Sequence, residues 1–175
     1  MNYTSFRRAG FTVIELVTVV TIIGILTAVT VVGYRTYRED SNIAMMKRDM
    51  ADMNMALEKY YAKNGAYPTT SGAWRYRRQS GESFIPGLIP DYIRTVGDVP
   101  FGNTASATAN TYIYRSNGFD YKLLRLSEGA SVSFQPFEIA AIEPELQDPG
   151  PPSSPRWGAT VKRGWGYWSP GGKDW

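Results

Sequence analysis

Hydrophobic positions follow two different patterns in the first third of the chain. From Phe11 to Tyr34 they form a run of 24 residues in which Glu15 is the only charged one. As a helix rising about 1.5 Å per residue, that run is roughly 36 Å long, enough to cross a hydrocarbon core of about 30 Å. Beyond Arg35 the apolar residues thin out to a stripe. Met46, Met50, Met53, Leu57 and Tyr60 recur at steps of four, three, four and three, the spacing of one helix face. Lys47, Arg48, Asp49, Asp52 and Lys59 fall largely on the other side. Neither proline nor glycine occurs between Tyr34 and Asn64, so both patterns read as one continuous helix. Arg35–Asp40 marks the exit from the membrane, with Tyr34 and Tyr37 at the interface. The methionines read as adaptable core, not as a metal or ligand box.

Asn64-Gly65 ends the helix, because glycine takes the left-handed conformation without steric cost. Tyr67–Thr70 then runs extended, and the stretch from Thr70 to Pro90 reads as loop with one short helix. Asn103–Asn110, rich in Ala, Ser and Thr, reads as an exposed loop. Tyr112–Arg115 and Phe119–Leu126 flank Ser116-Asn117-Gly118, which predicts a β-hairpin. Alternation places Tyr121, Leu123 and Arg125 on one face, with Lys122, Leu124 and Leu126 on the other. Val132–Phe134 and Glu138–Ile142 read as short strands or helical turns, and the pattern does not separate the two. Asp148–Pro155 reads as a stiff surface loop poor in hydrogen bonds, Gly164–Ser169 as a last strand, and Pro170-Gly171-Gly172 as its terminating turn. The expected fold is α+β: a long N-terminal helix whose second half packs on a small antiparallel sheet of roughly three to five strands.

Composition narrows the function. The 175 residues suit one domain plus an extension. There is no histidine, which removes the commonest general base and metal ligand, and no G-x-S-x-G, phosphate-cradling glycine loop or paired-carboxylate motif. Enzyme chemistry is not expected. There is no cysteine, so stability must come from packing, turns or an ion. The net charge of +3 comes from 19 basic and 16 acidic residues; without Arg7 and Arg8 the balance is 17 to 16, a net of +1, and says little about nucleic acid.

Three clusters carry candidate chemistry. Arg75, Arg77 and Arg78 surround Trp74 and Tyr76, as a solvated loop or as a contact for an acidic surface or DNA. Trp157, Trp165, Tyr167, Trp168 and Trp175 suit packing of the sheet, burial between subunits, or sugar stacking. The third is Arg7-Arg8-Ala9-Gly10-Phe11-Thr12-Val13-Ile14-Glu15-Leu16. A carboxylate inside a spanning segment costs about 2.5 to 3.5 kcal/mol at the midplane, less near an end, and such groups usually pair. Glu15 has no cationic partner of its own within the run. Cutting the chain after Gly10 would create an amine on Phe11, four residues away, and a neighbouring subunit's amine would neutralise Glu15. An ordinary secretory signal has an apolar region of about 7 to 15 residues with its small residues after it; here the run is longer and Ala9-Gly10 precedes it.

This stretch resembles the type III signal of type IV pilins and type II secretion pseudopilins. The resemblance rests on a short basic leader ending in glycine, then Phe-Thr-Val-Ile-Glu-Leu-Val, then an unbroken apolar run. Tyr60–Pro68 is similar to the helix-to-loop junction of pilins and of the major pseudopilin. The resemblance implies cleavage between Gly10 and Phe11 by a prepilin peptidase, N-methylation of Phe11, and assembly through Phe11 and Glu15, with Arg7 and Arg8 holding the leader in the cytoplasm. It implies four segments: a leader over 1–10, a filament-core or transmembrane helix over 11–34, an amphipathic continuation over 35–64, and a globular α+β domain over 65–175. Val32 stands where many pilins have a proline, and the C-terminal disulfide of many members has no counterpart here.

The expected function is a structural subunit of a type IV pilus or pilus-like filament. Its partners would be further copies in a homo-oligomeric helical filament, the peptidase, an inner-membrane assembly platform and minor pilins. It would sit in the cytoplasmic membrane as a single-pass precursor, then in an extracellular or periplasmic filament. No cofactor is expected, except calcium if the chain is a pseudopilin; Glu143, Glu145, Asp148 and Asp174 are dispersed, with no firm ligand spacing. Two other classes stay open, a membrane-anchored extracytoplasmic binding module and, resting only on the arginine cluster, a DNA-binding role.

Overall fold

The structure, a computed structural model, describes residues 11–100, 110–126, 141–150 and 164–175; within the first helix the side chains at 29, 31–33, 35 and 36 are not described. Helix α1 spans Val13–Asn64. It is followed by β1 (Arg75–Tyr76), the one-turn helix α2 (Arg77–Ser80) and a 3-10 turn over Gly81–Phe84. Strands β2 (Thr111–Ser116), β3 (Tyr121–Leu126) and β4 (Gly164–Trp168) come next, with 3-10 turns at Pro144–Leu146 and Pro170–Gly172. The strands form one antiparallel sheet in the order β1-β2-β3-β4, so the fold is α+β with a long helix on a four-stranded sheet. The chain divides into two units, one ending at Ser41 and one beginning at Asn42.

In the first unit the apolar side chains described lie in the open; Val13 is 80% and Ile25 62% exposed. Among the described residues no helix is long and apolar enough to cross a membrane. The apolar run read from the sequence takes in positions 29 and 31–33, whose side chains lie outside that set.

The second unit is built on the methionine stripe. Met46, Met50, Met53 and Leu57 are fully buried, flanked by Ile43 and Ala56, and Tyr60 packs at their edge. They meet Tyr112, Tyr114, Tyr121, Leu123 and Trp165 from the sheet, with Phe84, Ile85, Leu88, Val96 and Val99 from the connecting segment. The helix stops where expected: Gly65 has φ +70°, and its amide donates to the Tyr61 carbonyl at 2.8 Å. Asp49, expected on the solvated face, is instead half-buried and accepts a hydrogen bond from the Tyr112 hydroxyl at 3.2 Å.

The hairpin forms with Ile113 opposite Leu124 and Ser116 opposite Tyr121. Its turn is held by the Asn117 side chain, which accepts the amides of Phe119 and Asp120 at 2.9 and 2.8 Å, while Gly118 adopts φ +95°. Alternation holds along β3: Tyr121 and Leu123 join the core under α1, and Leu124 and Leu126 pack with Ile113, Trp74, Tyr76 and Trp168 on the other face. Both faces are covered, so all six residues of β3 are buried. Arg125 turns to the helix side, its Nε donating to the Met46 sulfur at 3.4 Å and its Nη1 to the Leu126 carbonyl. Arg115 lies over the rings of Trp74 and Trp175, 5.8 and 4.7 Å from their centroids.

Several expectations change. Arg75–Tyr76 pairs with Tyr114 and Ile113 as a strand; the two-residue segment is too short for any periodicity to announce it. Asn110 is buried with φ +47°, not exposed, because it leads directly into β2. Asp148, read as part of a surface loop, is buried against Lys122, and its amide donates to the Gly164 carbonyl at 3.1 Å. The leader over 1–10, the loop at 103–109, the segments 132–134 and 138–140, prolines 151, 152 and 155, and Trp157 lie outside the described residues.

Candidate functional site

The assembly site expected from the sequence lies at the start of α1. Arg7, Arg8 and Gly10 lie outside the described residues, so the structure places only Phe11 and Glu15 of that set. Phe11 is 87% exposed. Glu15 has a partner in its own chain, which the sequence reading did not assign. Thr12 precedes the first helical residue, and its amide and its hydroxyl both donate to Glu15 Oε2, at 2.8 and 2.7 Å. The Glu15 amide donates back to the Thr12 hydroxyl oxygen at 3.3 Å. This is a capping box: two amides that the first turn leaves without helical acceptors are satisfied reciprocally. The acid also stands at the positive end of the helix dipole, where negative charge is favoured. The signal was in the sequence as Thr-x-x-Glu ahead of an apolar run. Reading Glu15 only for its charge passes over it.

The helix that follows hides its remaining polarity. The hydroxyls of Thr18, Thr21, Thr27 and Thr30 each donate to the carbonyl four residues back, at 2.7 or 2.8 Å. To a neighbouring helix or to lipid, these threonines present methyl groups. A Cβ at Gly24 would meet nothing within 4 Å beyond the helix's own nearby backbone. The surface offered by the described side chains of this segment is therefore apolar, with one carboxylate at its start that, among the described residues, is held by hydrogen bonds and by no positive charge.

The other candidates resolve differently. The arginine cluster is spread over separate tasks. Arg77 donates to the Val96 carbonyl through Nε and Nη2, at 3.3 and 2.8 Å, and Arg75 Nη1 to the Ser83 carbonyl at 3.3 Å. The Arg78 amide donates to the Thr111 hydroxyl at 3.0 Å. Of the dispersed carboxylates, Glu143 pairs with Lys47 at 3.0 Å and sits below the usual carboxylate range, chiefly through a main-chain hydrogen bond and the Lys47 contact. Glu145 and Asp174 are exposed, and Asp148 pairs with Lys122 at 2.7 Å. Among the described residues no group of three or more carboxylates is arranged to hold a metal ion. In the aromatic tail Trp165 is fully buried in the core, and Tyr167 and Trp168 pack against opposite faces of the sheet.

A tyrosine network at the end of α1 was not anticipated. Glu58 accepts the hydroxyls of Tyr67 and Tyr121 at 3.1 and 3.3 Å, and Tyr121 also donates to Asn54. Tyr67 stacks on Tyr61 and meets Tyr121 at a tilt of 53°, with centroids 4.6 and 4.5 Å away. Burial, with the Glu58 charge second, pushes the Tyr67 phenol up to about 12. The residues lie far apart in sequence, and no local pattern joins them. No protein-family model matches the chain, and neither the curated proteins nor the solved structures contain a match to it.

Proposed function

We propose that the chain is a structural subunit of a type IV pilus or pilus-like filament, with a pilin-like fold whose first half spans the membrane before assembly. The observation that carries this reading is the pairing of an exposed apolar helix with a single capped carboxylate directly after Gly10-Phe11. A prepilin peptidase would cut between those two residues and the new Phe11 amine would be methylated. In the bilayer, Thr12 gives Glu15 two hydrogen bonds, which lowers the cost of burying it near the membrane face. In a filament the apolar helices bundle, and the Phe11 amine of a neighbouring copy supplies the missing positive charge. A mis-stepped helix would leave both charges unpaired in an apolar core, so the pair sets register. Repetition of a head-to-tail contact that does not close generates a helical polymer.

Further partners under this reading are the inner-membrane assembly platform and minor pilins, and the assembled chain lies outside the cytoplasm. The test is the N-terminal mass of protein recovered from its native host. A terminus at methylated Phe11 is expected. Protein in the assembled pool that still carries Met1 would overturn the reading. A calcium-dependent melting temperature for residues 35 to 175 would move the assignment from a surface pilus to a secretion pseudopilus.

A further inference from the structure

Lys122 and Asp148 form a pair that filament assembly does not use. The Lys122 Nζ lies 2.7 Å from Asp148 Oδ1, and both side chains are fully buried. Nζ also lies 2.8 Å from the Lys173 carbonyl oxygen and 3.0 Å from the main-chain oxygen of Trp175, under the Trp168 ring. Asp148 Oδ1 accepts the Gly150 amide at 2.9 Å, while Oδ2 is buried with no hydrogen-bond partner among the described residues.

A buried ion pair offsets its desolvation only when every remaining lone pair and proton is satisfied. Oδ2 fails that condition. The nitrogen geometry suggests what the arrangement favours instead. Beyond its bond to Cε, Nζ has three tetrahedral directions. Two meet main-chain oxygens, which only accept, so those two directions carry N–H bonds. The third faces the Asp148 carboxyl. Once its proton passes to the carboxyl, that direction holds the nitrogen lone pair. The Gly150 amide polarises the carboxyl through Oδ1 and stabilises the oxyanion that addition would form.

We propose that Lys122 and Asp148 condense into an intramolecular isopeptide bond. Nζ adds to the Asp148 Cγ, two protons of the ammonium pass to Oδ2, the Cγ–Oδ2 bond breaks, and one water leaves. The amide keeps the third proton, pointed at a main-chain oxygen. No oxidant or other co-reactant is consumed. The product removes two buried charges and the unsatisfied oxygen together. In a chain without cysteine it ties β3 to the segment before β4 covalently, as a disulfide would.

Intact-mass measurement and tryptic mapping of the purified full-length chain test this. The expected mass lies one water, about 18 Da, below that of the recovered sequence. Trypsin should leave Lys122 uncut and release Ser116–Arg125 joined to Leu126–Arg156. Lys122→Arg, which keeps the cation without the amine, should show the full mass. Asp148→Asn should form the same link with loss of ammonia, about 17 Da. Folded protein at full mass, with Lys122 cleaved, overturns the proposal and leaves an ion pair. A loss of water that maps elsewhere, with Lys122 still cleaved, overturns it equally.

Discussion

The methyl group of Met50 occupies the space that a side chain at Gly166 would need. A Cβ there would stand 2.8 Å from Met50 Cε and 2.0 Å from the Leu123 carbonyl oxygen. The helix methionine could swing aside, but the carbonyl belongs to the β3–β4 ladder and is fixed. Gly166→Ala is therefore expected to destabilise the second unit by at least the usual overpacking cost, about 1 to 3 kcal/mol. Thermal denaturation should show a drop of several degrees. An unchanged melting temperature would mean that the Leu123 carbonyl does not crowd this position.

The cap that Glu15 makes and the assembly role it would have under the proposed function separate by substitution. Glutamine can serve in a capping box but carries no charge. Glu15→Gln should keep the helix start intact by circular dichroism in detergent, yet greatly reduce filament yield under the proposed function. Glu15→Ala should lose both the cap, worth about 1 kcal/mol, and assembly. Filaments from the glutamine variant at normal yield would show that the cap matters and the charge does not.

Asp49 should weaken the fold at neutral pH. Burial raises its carboxyl above the ordinary range, and the Tyr112 hydrogen bond opposes this only in part. With the folded value above the unfolded one, the stabilising effect is complete below the unfolded pKa, about 3.9, and is lost as pH rises through the folded value. Asp49→Asn keeps an acceptor for Tyr112 without the charge. Its melting temperature should exceed that of the parent at pH 7, and the gap should close near pH 3. A gap that does not change with pH would assign the effect to something other than ionisation.

The tyrosine network predicts an alkaline limit. Tyr67 titrates at about 12, and burial pushes Tyr114 and Tyr121 higher still. The stability these phenols contribute is complete below the ordinary value of about 10 and is lost as pH climbs through the folded values. Ultraviolet titration should show the exposed tyrosines ionising first and the network ionising only with unfolding. Glu58→Gln should bring Tyr67 down while leaving it above 10, because burial is the larger cause.

What the sequence disclosed was whatever is periodic or local. The stripe from Met46 to Leu57, the stop at Gly65, the hairpin around Asn117-Gly118, and the two faces of β3 each follow from neighbours a few residues apart, and each appears in the structure. Tertiary pairings stayed hidden. Lys122 alternates onto the outer face as expected, but alternation does not say that Asp148 and two main-chain oxygens bury it there. Asp148 looked like loop because the prolines after it dominate the local pattern. At the candidate assembly site the Thr12–Glu15 cap was legible, and the charge of Glu15 drew attention away from it.

β3 has a strand on either side and packed side chains on both faces. Water therefore reaches its amides only if a neighbouring strand or a whole face lifts away. Local fraying at α1 or at the chain ends does not expose them. Their hydrogen-exchange rates should be the slowest in the molecule and should report the free energy of global opening. Residues Tyr121–Leu126 thus act as a built-in gauge: any ligand, copy or covalent tie that stabilises the second unit as a whole registers there first.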